Sequence, residues 1–353
     1  MCACFAEIPP NLHGGNMKTW LLDQPKQIRL QESPPTVLKD NFVKVKIEQL
    51  LLTNSLFDVY LGNSTREYPF VMGRNAVGVV SEVTDNVSML NKMDRVVIEP
   101  YIPCENCDEC RSGDLSNCAE IVELGQNHNG LLQNFVDLPY SILHHLPDNL
   151  SNEKALFVSY VSFGLNIVDA LKLEKGRHIA IFASTKTGLI LAQLIAYYQA
   201  VPIFCSNEAV LVAEARKMGI LYCINTEEVD VAKEIKIVTG GRMCKELVFF
   251  SDSDFRIKDV YDSAAQNATI CLAGYSNKDS RMTVAQICQK HLHIMGVYNG
   301  YGNFSSAINL LVTNKVNVDR LIGDVVNFDQ LDEVLANIAS EELKLTSKII
   351  KVD

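Results

Sequence analysis

Four cysteines fall within one polar, turn-rich stretch, CENCDECRSGDLSNC, at the spacing C-x2-C-x2-C-x7-C from Cys104 to Cys118. Thiolates bind zinc tetrahedrally, and four sulfurs leave no open position for water or substrate. The spacing therefore predicts one structural zinc per chain, held by Cys104, Cys107, Cys110 and Cys118. Disulfides fit poorly, because the N-terminal MCACFAEIPPNLHGG lacks a basic region followed by an apolar run and so does not read as an export signal. The other seven of the eleven cysteines lie mostly in apolar settings and read as small buried hydrophobes in a reducing cytoplasm.

At 353 residues the chain is too long for one ordinary core, so two domains are expected. A net charge of −10 argues against nucleic acid or an anionic membrane as the main partner. The uncharged run Thr187 to Asn207 approaches membrane length, but it contains Gln193, Gln199 and Pro202 and reads better as a buried helix running into a buried strand. Residues 1–16 read as a ragged start.

The elements that must position any site change character near residue 150. Before it, KTWLLD, QIRLQE, FVKVKIEQLLL, AVGVVSEV, RVVIE, LLQNFVDLP and SILHHLP alternate or run apolar over short lengths, which predicts a barrel-like β arrangement. After it, a helix from Ser151 is followed by HIAIF, TGLILAQLIAYYQA, PIFC, EAVLVAEARKMG, YCIN, ELVFF, VYDSAAQ, TICLAG and HIMGVY. Such strand–helix alternation with continuous apolar strands predicts a doubly wound parallel sheet. The tail adds a helix (SSAINLLVTNKV), DVVNF, a second helix (LDEVLANIA) and a last strand, KIIKV.

Several motifs occur in one order: Pro69-x-x-x-Gly73, then Ala76-Val-Gly-Val-Val80, the cysteine lobe, LPDNLSNEKA at 146–155, the strand–turn–helix at 179–198, and NKVNVDRLIGDVVNFDQLDEV. In that order they resemble the zinc-type alcohol and polyol dehydrogenase branch of the medium-chain dehydrogenase/reductase superfamily, over nearly the whole chain. The resemblance implies an α/β fold: a GroES-like β-rich catalytic domain (1–155 and 300–353) and a Rossmann-type coenzyme domain (156–299). It also implies a homodimer or homotetramer, a small-molecule substrate and NAD or NADP as coenzyme.

The family's catalytic zinc needs sulfur, imidazole and carboxylate ligands around one open position. Here the position of the family's first ligand, a cysteine, is Thr53; the His-Glu of its G-H-E triplet is replaced by Arg74-Asn75; and the closest match to the third ligand is Ser159. These groups bind zinc poorly, and Asp58 alone is not a site. Arg74 offers a permanent cation that either polarises a carbonyl or pairs with Asp58 and fills the vacated position. Ser55 matches the family's proton-relay hydroxyl, and Asn75 is a further candidate donor.

A dinucleotide fold carries G-x-G-x-x-G at its first turn. Here the turn is Ala183-Ser184-Thr185-Lys186-Thr187-Gly188. Gly188 is retained, Thr185 intrudes where phosphates approach, and Lys186 either compensates with charge or faces solvent. The acid that takes the ribose hydroxyls of NAD is missing from Cys205-Ser206-Asn207, which favours NADP. The nearest useful cation is Arg216. Three functions follow: a hydride-transferring oxidoreductase without catalytic zinc, a catalytically silent binding or assembly protein, or a redox-neutral enzyme that clamps a phosphorylated ligand on Arg74.

Overall fold

The alternating segments of the first 150 residues pair as antiparallel ladders around one long strand in the computed structural model, which describes residues 17–63, 67–251, 255–274, 283–339 and 342–352. The expected ragged start, 1–16, lies outside the described residues. The chain forms two compact units, one running up to Phe157 with Ile322–Leu343 and the final strand, the other comprising Val158–Leu321 and Lys344–Thr346. The expected boundary near residue 300 thus falls at Leu321, because the helix that follows packs with the second unit.

The first unit contains β1 (Met17–Gln24), β2 (Gln27–Ser33), β3 (Phe42–Leu52), α1 (Asn54–Leu61), β4 (Phe70–Val71), β5 (Ala76–Val83), β6 (Arg95–Ile98) and β7 (Tyr101–Ile102). It continues with α2 (Asp108–Arg111), β8 (Val122–Glu123), β9 (Phe135–Pro139), β10 (Leu143–His145) and α3 (Asn152–Ala155). The second unit contains α4 (Val158–Leu171), β11 (His178–Phe182), α5 (Lys186–Tyr197), β12 (Val201–Ser206), α6 (Ala209–Lys217), β13 (Tyr222–Asn225) and α7 (Val231–Val238). It goes on through β14 (Cys244–Phe250), α8 (Ile257–Ser263), β15 (Ala264–Ala273), α9 (Val284–Lys290), β16 (His293–Val297) and α10 (Phe304–Val312). The chain closes with β17 (Ile322–Asn327), α11 (Leu331–Asn337), α12 (Glu342–Leu345) and β18 (Ser347–Lys351).

β3 is the hub of the first unit. The sheet order is β10-β6-β5-β3-β18-β17, and β9 also pairs with β3. Val43, Val45, Ile47, Leu50 and Leu52 of β3 are fully buried against Leu22, Ala76, Val80 and Ile350. On its polar positions, Lys44 stands opposite Asp137 of β9. Its ammonium donates to the Asp137 carboxylate (2.7 Å) and to Thr36 Oγ1 (3.0 Å). Trp20, with its indole N–H donated to the Phe328 carbonyl (2.8 Å), fixes the returning C-terminal segment to β1.

The second unit is one parallel sheet in the order β13-β12-β11-β14-β15-β16, the doubly wound arrangement that the sequence predicts. The uncharged run 187–207 resolves into α5 and β12. Among the described residues one helical run, Asn152–Leu171, is long and apolar enough to cross a membrane, yet 61% of that window is buried inside the protein, as in a core helix. Five of the described helices escape the sequence reading: α1, α2, α7, α9 and α12. The helix expected over VYDSAAQ ends at Ser263, and Ala264 onward joins β15, because pairing with buried Cys244 of β14 overrides the helix preference of the alanines.

The Lys44–Asp137 pair is largely buried, so removing one charge leaves the other desolvated. Asp137→Asn should destabilise the first unit by about 3 kcal/mol, read as a lower denaturant midpoint with an unchanged slope.

Candidate functional site

The cysteine lobe hangs between β7 and β8. Cys107 caps α2, Cys110 lies within it, and Cys118 ends a 3-10 turn over Leu115–Asn117. The four sulfurs lie within 4.8 Å of one another. A zinc with Zn–S near ~2.3 Å would hold its four sulfurs about 3.8 Å apart, and Cys104 Sγ is 4.0 Å from Cys110 Sγ. Backbone amides converge on the sulfurs as in thiolate sites: Cys107 N–H donates to Cys104 Sγ (3.3 Å) and Cys104 N–H to Cys118 Sγ (3.2 Å). The amides of Asn106 and Cys107 pull the Cys104 thiol down to about 7. Burial pushes Cys110 up to about 12 and Cys118 above the usual thiol range. Zinc offsets that burial by taking all four as thiolates. The donor set fits a structural zinc.

A second group of candidate residues sits at one end of β3 and β5. The register Leu50↔Ala76 and the bond from Leu51 N–H to the Asn75 carbonyl (2.9 Å) set Thr53 and Arg74 at the same end of this ladder. Thr53 caps α1, its Oγ1 accepting from Leu56 N–H (3.1 Å), and lies 3.0 Å from Ser55 Oγ. Thr53 is buried and Ser55 exposed, so the two contiguous hydroxyls run from the interior of the unit to solvent. Asn75, next to Arg74 in sequence, is half-buried.

Arg74 has a counter-ion that the sequence reading did not name. Its guanidinium pairs with Glu123 (3.0 Å) and stands 5.3 Å from the centroid of the Tyr101 ring. The Glu123 side chain is 3% exposed. Asp58 is exposed and accepts from Asn63 (3.1 Å). Sequence reasoning missed Glu123 and Tyr101, because no local pattern marks either. The β7–β8 register, Tyr101↔Glu123, sets them side by side beneath Arg74. Glycine makes this approach possible: a Cβ on Gly125 would lie 2.3 Å from the Gly73 carbonyl oxygen, and one on Gly130 2.2 Å from it. Ser159, the closest match to the third family ligand, lies on α4 in the second unit. Among the described residues, the cysteine quartet is the one group of His, Cys, Asp or Glu side chains arranged to hold a metal.

The turn between β11 and α5 keeps the packing half of a dinucleotide motif. A Cβ on Gly188 would stand 2.3 Å from Ala183 Cβ and 3.0 Å from the Phe204 ring, so only glycine lets α5 lie this close to the sheet. Ser184 Oγ donates to Asn207 Oδ1 (2.6 Å), joining the ends of β11 and β12. Thr185 is extended (φ −140°) and donates to Thr187 Oγ1 (3.4 Å). Lys186 is 1% exposed and lies inside the unit, which excludes the solvent-facing alternative. Ser206 is buried and its Oγ accepts from Glu208 N–H (3.1 Å). Arg216 donates to the Cys223 carbonyl (3.3 Å) on β13. The missed residues here are Glu208 and Lys344. Glu208 stands one position beyond Asn207 and forms an ion pair with Lys344 (2.6 Å).

The alcohol dehydrogenase GroES-like domain family matches residues 39–148. An uncharacterized zinc-type alcohol dehydrogenase-like protein of Haemophilus influenzae is 27% identical over 328 residues, 92% of this chain and 95% of the relative. The sorbitol dehydrogenase of Bacillus subtilis is 23% identical over 327 residues, 91% and 93% of the two chains. A solved structure described as a zinc-binding dehydrogenase of Sinorhizobium meliloti bound to NADP has the same fold, with a TM-score of 0.85 at 18% identity over 96% of this chain and 100% of that one.

Replacing one lobe sulfur separates metal from fold. Cys107→Ser should bring the zinc content, by atomic emission, from about one per chain to near none and expose 104–118 to proteolysis. The second unit should keep its protection in hydrogen exchange.

Proposed function

Because this chain belongs to the zinc-type alcohol dehydrogenase branch of the medium-chain dehydrogenase/reductase superfamily, we propose that it transfers hydride between NADP(H) and a carbonyl or alcohol substrate with no zinc at the catalytic position. It is an alcohol/polyol dehydrogenase-like oxidoreductase in which a guanidinium and hydroxyls stand in for the Lewis acid. The observation that carries this reading is the Arg74–Glu123 pair over Tyr101, at the ladder end where the family's ligand positions fall.

A nicotinamide coenzyme, when bound, supplies or accepts the hydride. Arg74, fixed by Glu123, donates N–H bonds to the substrate oxygen as charge develops on it. The Thr53–Ser55 hydroxyl pair passes the proton between that oxygen and solvent. Asn75 adds a further donor. Because Glu123 already balances the charge of Arg74, the arrangement suits polarisation by directed hydrogen bonds better than capture of a free anion. This tells against the phosphorylated-ligand reading.

The coenzyme crevice supports NADP over NAD. No carboxylate occupies Ser206 or Asn207, and the one that follows, Glu208, is neutralised by Lys344. The Sinorhizobium relative carries NADP. Assembly as a homodimer or homotetramer belongs to the same proposal, because β16 ends the sheet with His293, Ile294 and Gly296 exposed; light scattering gives the mass. A silent binding protein is the second reading, favoured by Thr185 at the glycine position and by the Ser184–Asn207 bond across the strand ends.

Metal analysis with parallel NADH and NADPH titrations tests the proposal. One zinc per chain and blue-shifted NADPH fluorescence are expected; two zincs per chain would refute the zinc-free site, and no binding of either nucleotide would establish the silent reading. With a substrate in hand, Arg74→Ala should lower kcat/KM by ~10²–10³-fold. Lys344→Ala should weaken NADPH roughly tenfold more than NADH, because it leaves the Glu208 carboxylate without its counter-ion and facing the 2′-phosphate.

A further inference from the structure

Two adjoining cavities of the second unit lie at the N-terminal ends of the parallel strands, at the end of β11 opposite the Ala183–Gly188 turn. One, of about 380 Å³, is walled by Arg177, His178, Thr239, Arg242, Met243 and Lys245. The other, of about 450 Å³, shares Arg242, Met243 and Lys245 and adds Lys290. The trough is basic in a chain whose net charge is −10.

Its charges divide into those already satisfied and those left over. Arg177 is paired with Glu174 (2.6 Å). Asp262, the acid bordering the second cavity, is held by Lys258. Lys290 donates to the carbonyls of Tyr261 (2.5 Å) and Ala264 (2.8 Å), closing the end of α8. Arg242 donates its Nε–H to the Thr239 carbonyl (3.0 Å), and Lys245 donates to the Gln266 carbonyl (2.5 Å). Neither of these two cations has a carboxylate partner among the described residues. Glu246, which interacts with Arg177 and Lys245 through space without an ion-pair contact to either, walls neither cavity. Burial and the neighbouring Arg242 hold His178 below the usual histidine range, leaving a neutral ring that can donate or accept.

We propose that this trough binds a phosphate group, carried by orthophosphate or a small phosphorylated metabolite, with Arg242 as a two-pronged donor and Lys245 as the second cation. A guanidinium fork matches two phosphate oxygens, and the cluster's unbalanced charge draws a dianion. The site is separate from the coenzyme crevice: five residues of β11 place it about 16 Å from the Ala183 turn. Its failure would leave the coenzyme reading untouched.

The test titrates the full chain with sodium phosphate by calorimetry, at constant ionic strength set with sodium chloride. Arg242→Gln/Lys245→Gln is compared with Arg256→Gln, which alters an exposed cation of the same unit that is paired with Asp259 and lines neither cavity. Both altered side chains of the double variant are at least partly exposed, and its melting without phosphate checks that it folds. Saturable binding, weakened at least tenfold in the double variant and unchanged in Arg256→Gln, is the expected result. Glucose 6-phosphate bound more tightly than orthophosphate would assign the site to a phosphorylated metabolite, and equal affinity to free phosphate. Absence of saturable binding, or equal binding by the double variant, would overturn the proposal.

Discussion

The carbonyl of Gly73 is crowded by two other glycines, and much of the first unit's chemistry hangs on that contact. The 130–132 segment bonds to the backbone of 71–73 through Gly130 N–H to Val71 O (2.7 Å), Leu132 N–H to Met72 O (2.9 Å) and Leu131 N–H to Gly73 O (3.0 Å). No side chain larger than hydrogen at Gly125 or Gly130 permits this approach. Arg74 is the next residue on one side of the contact, and Glu123 is two residues away on the other. The buried ion pair is thus a product of backbone packing. Moving either loop outward by the radius of a methyl group would separate the two charges.

That pair also sets what kind of electrophile the proposed site would be. A divalent ion polarises a carbonyl by net charge and an open coordination position. A guanidinium with its own buried carboxylate has little net charge to give, and it acts through the direction of its remaining N–H groups. Tyr101 below the guanidinium adds the attraction of a ring face for a cation and fixes its plane. The cysteine quartet is the complementary case: its four sulfurs lie within 4.8 Å of one another, so a zinc held there would tie segment to segment and leave no position for a substrate.

Much of this was legible in the sequence. FVKVKIEQLLL and AVGVVSEV coincide with β3 and β5, because alternating burial on a sheet leaves a period-two trace. The cysteine spacing located a metal-sized cluster, since its ligands lie within fifteen consecutive residues and need little tertiary information. The coenzyme-type turn was placed for the same reason. Glu123 and Lys344 were invisible because their partners, Arg74 and Glu208, are 49 and 136 residues away. Lys186 was read as either a phosphate partner or a solvent group, and its near-complete burial is set by surroundings that no single-residue pattern records. α9 carries too few buried residues to leave a helical stripe, and the stripe of α7 is only eight residues long.

The arrangement of β3 has a consequence for how the chain is made. Its first half pairs with β9, through Phe42↔Pro139 to Lys46↔Phe135, and its second half with β18, through Gln49↔Lys351 to Leu52↔Lys348. The partners of the first half are complete once residue 139 has emerged from the ribosome. The second half keeps an apolar, unpaired edge until residues 348–351 are synthesised. Throughout that interval the parallel sheet of the second unit is translated and free to fold, while Leu50, Leu51 and Leu52 stand open to any strand that passes. Synthesis order thus makes the nascent first unit, and not the finished protein, the species most in need of a chaperone.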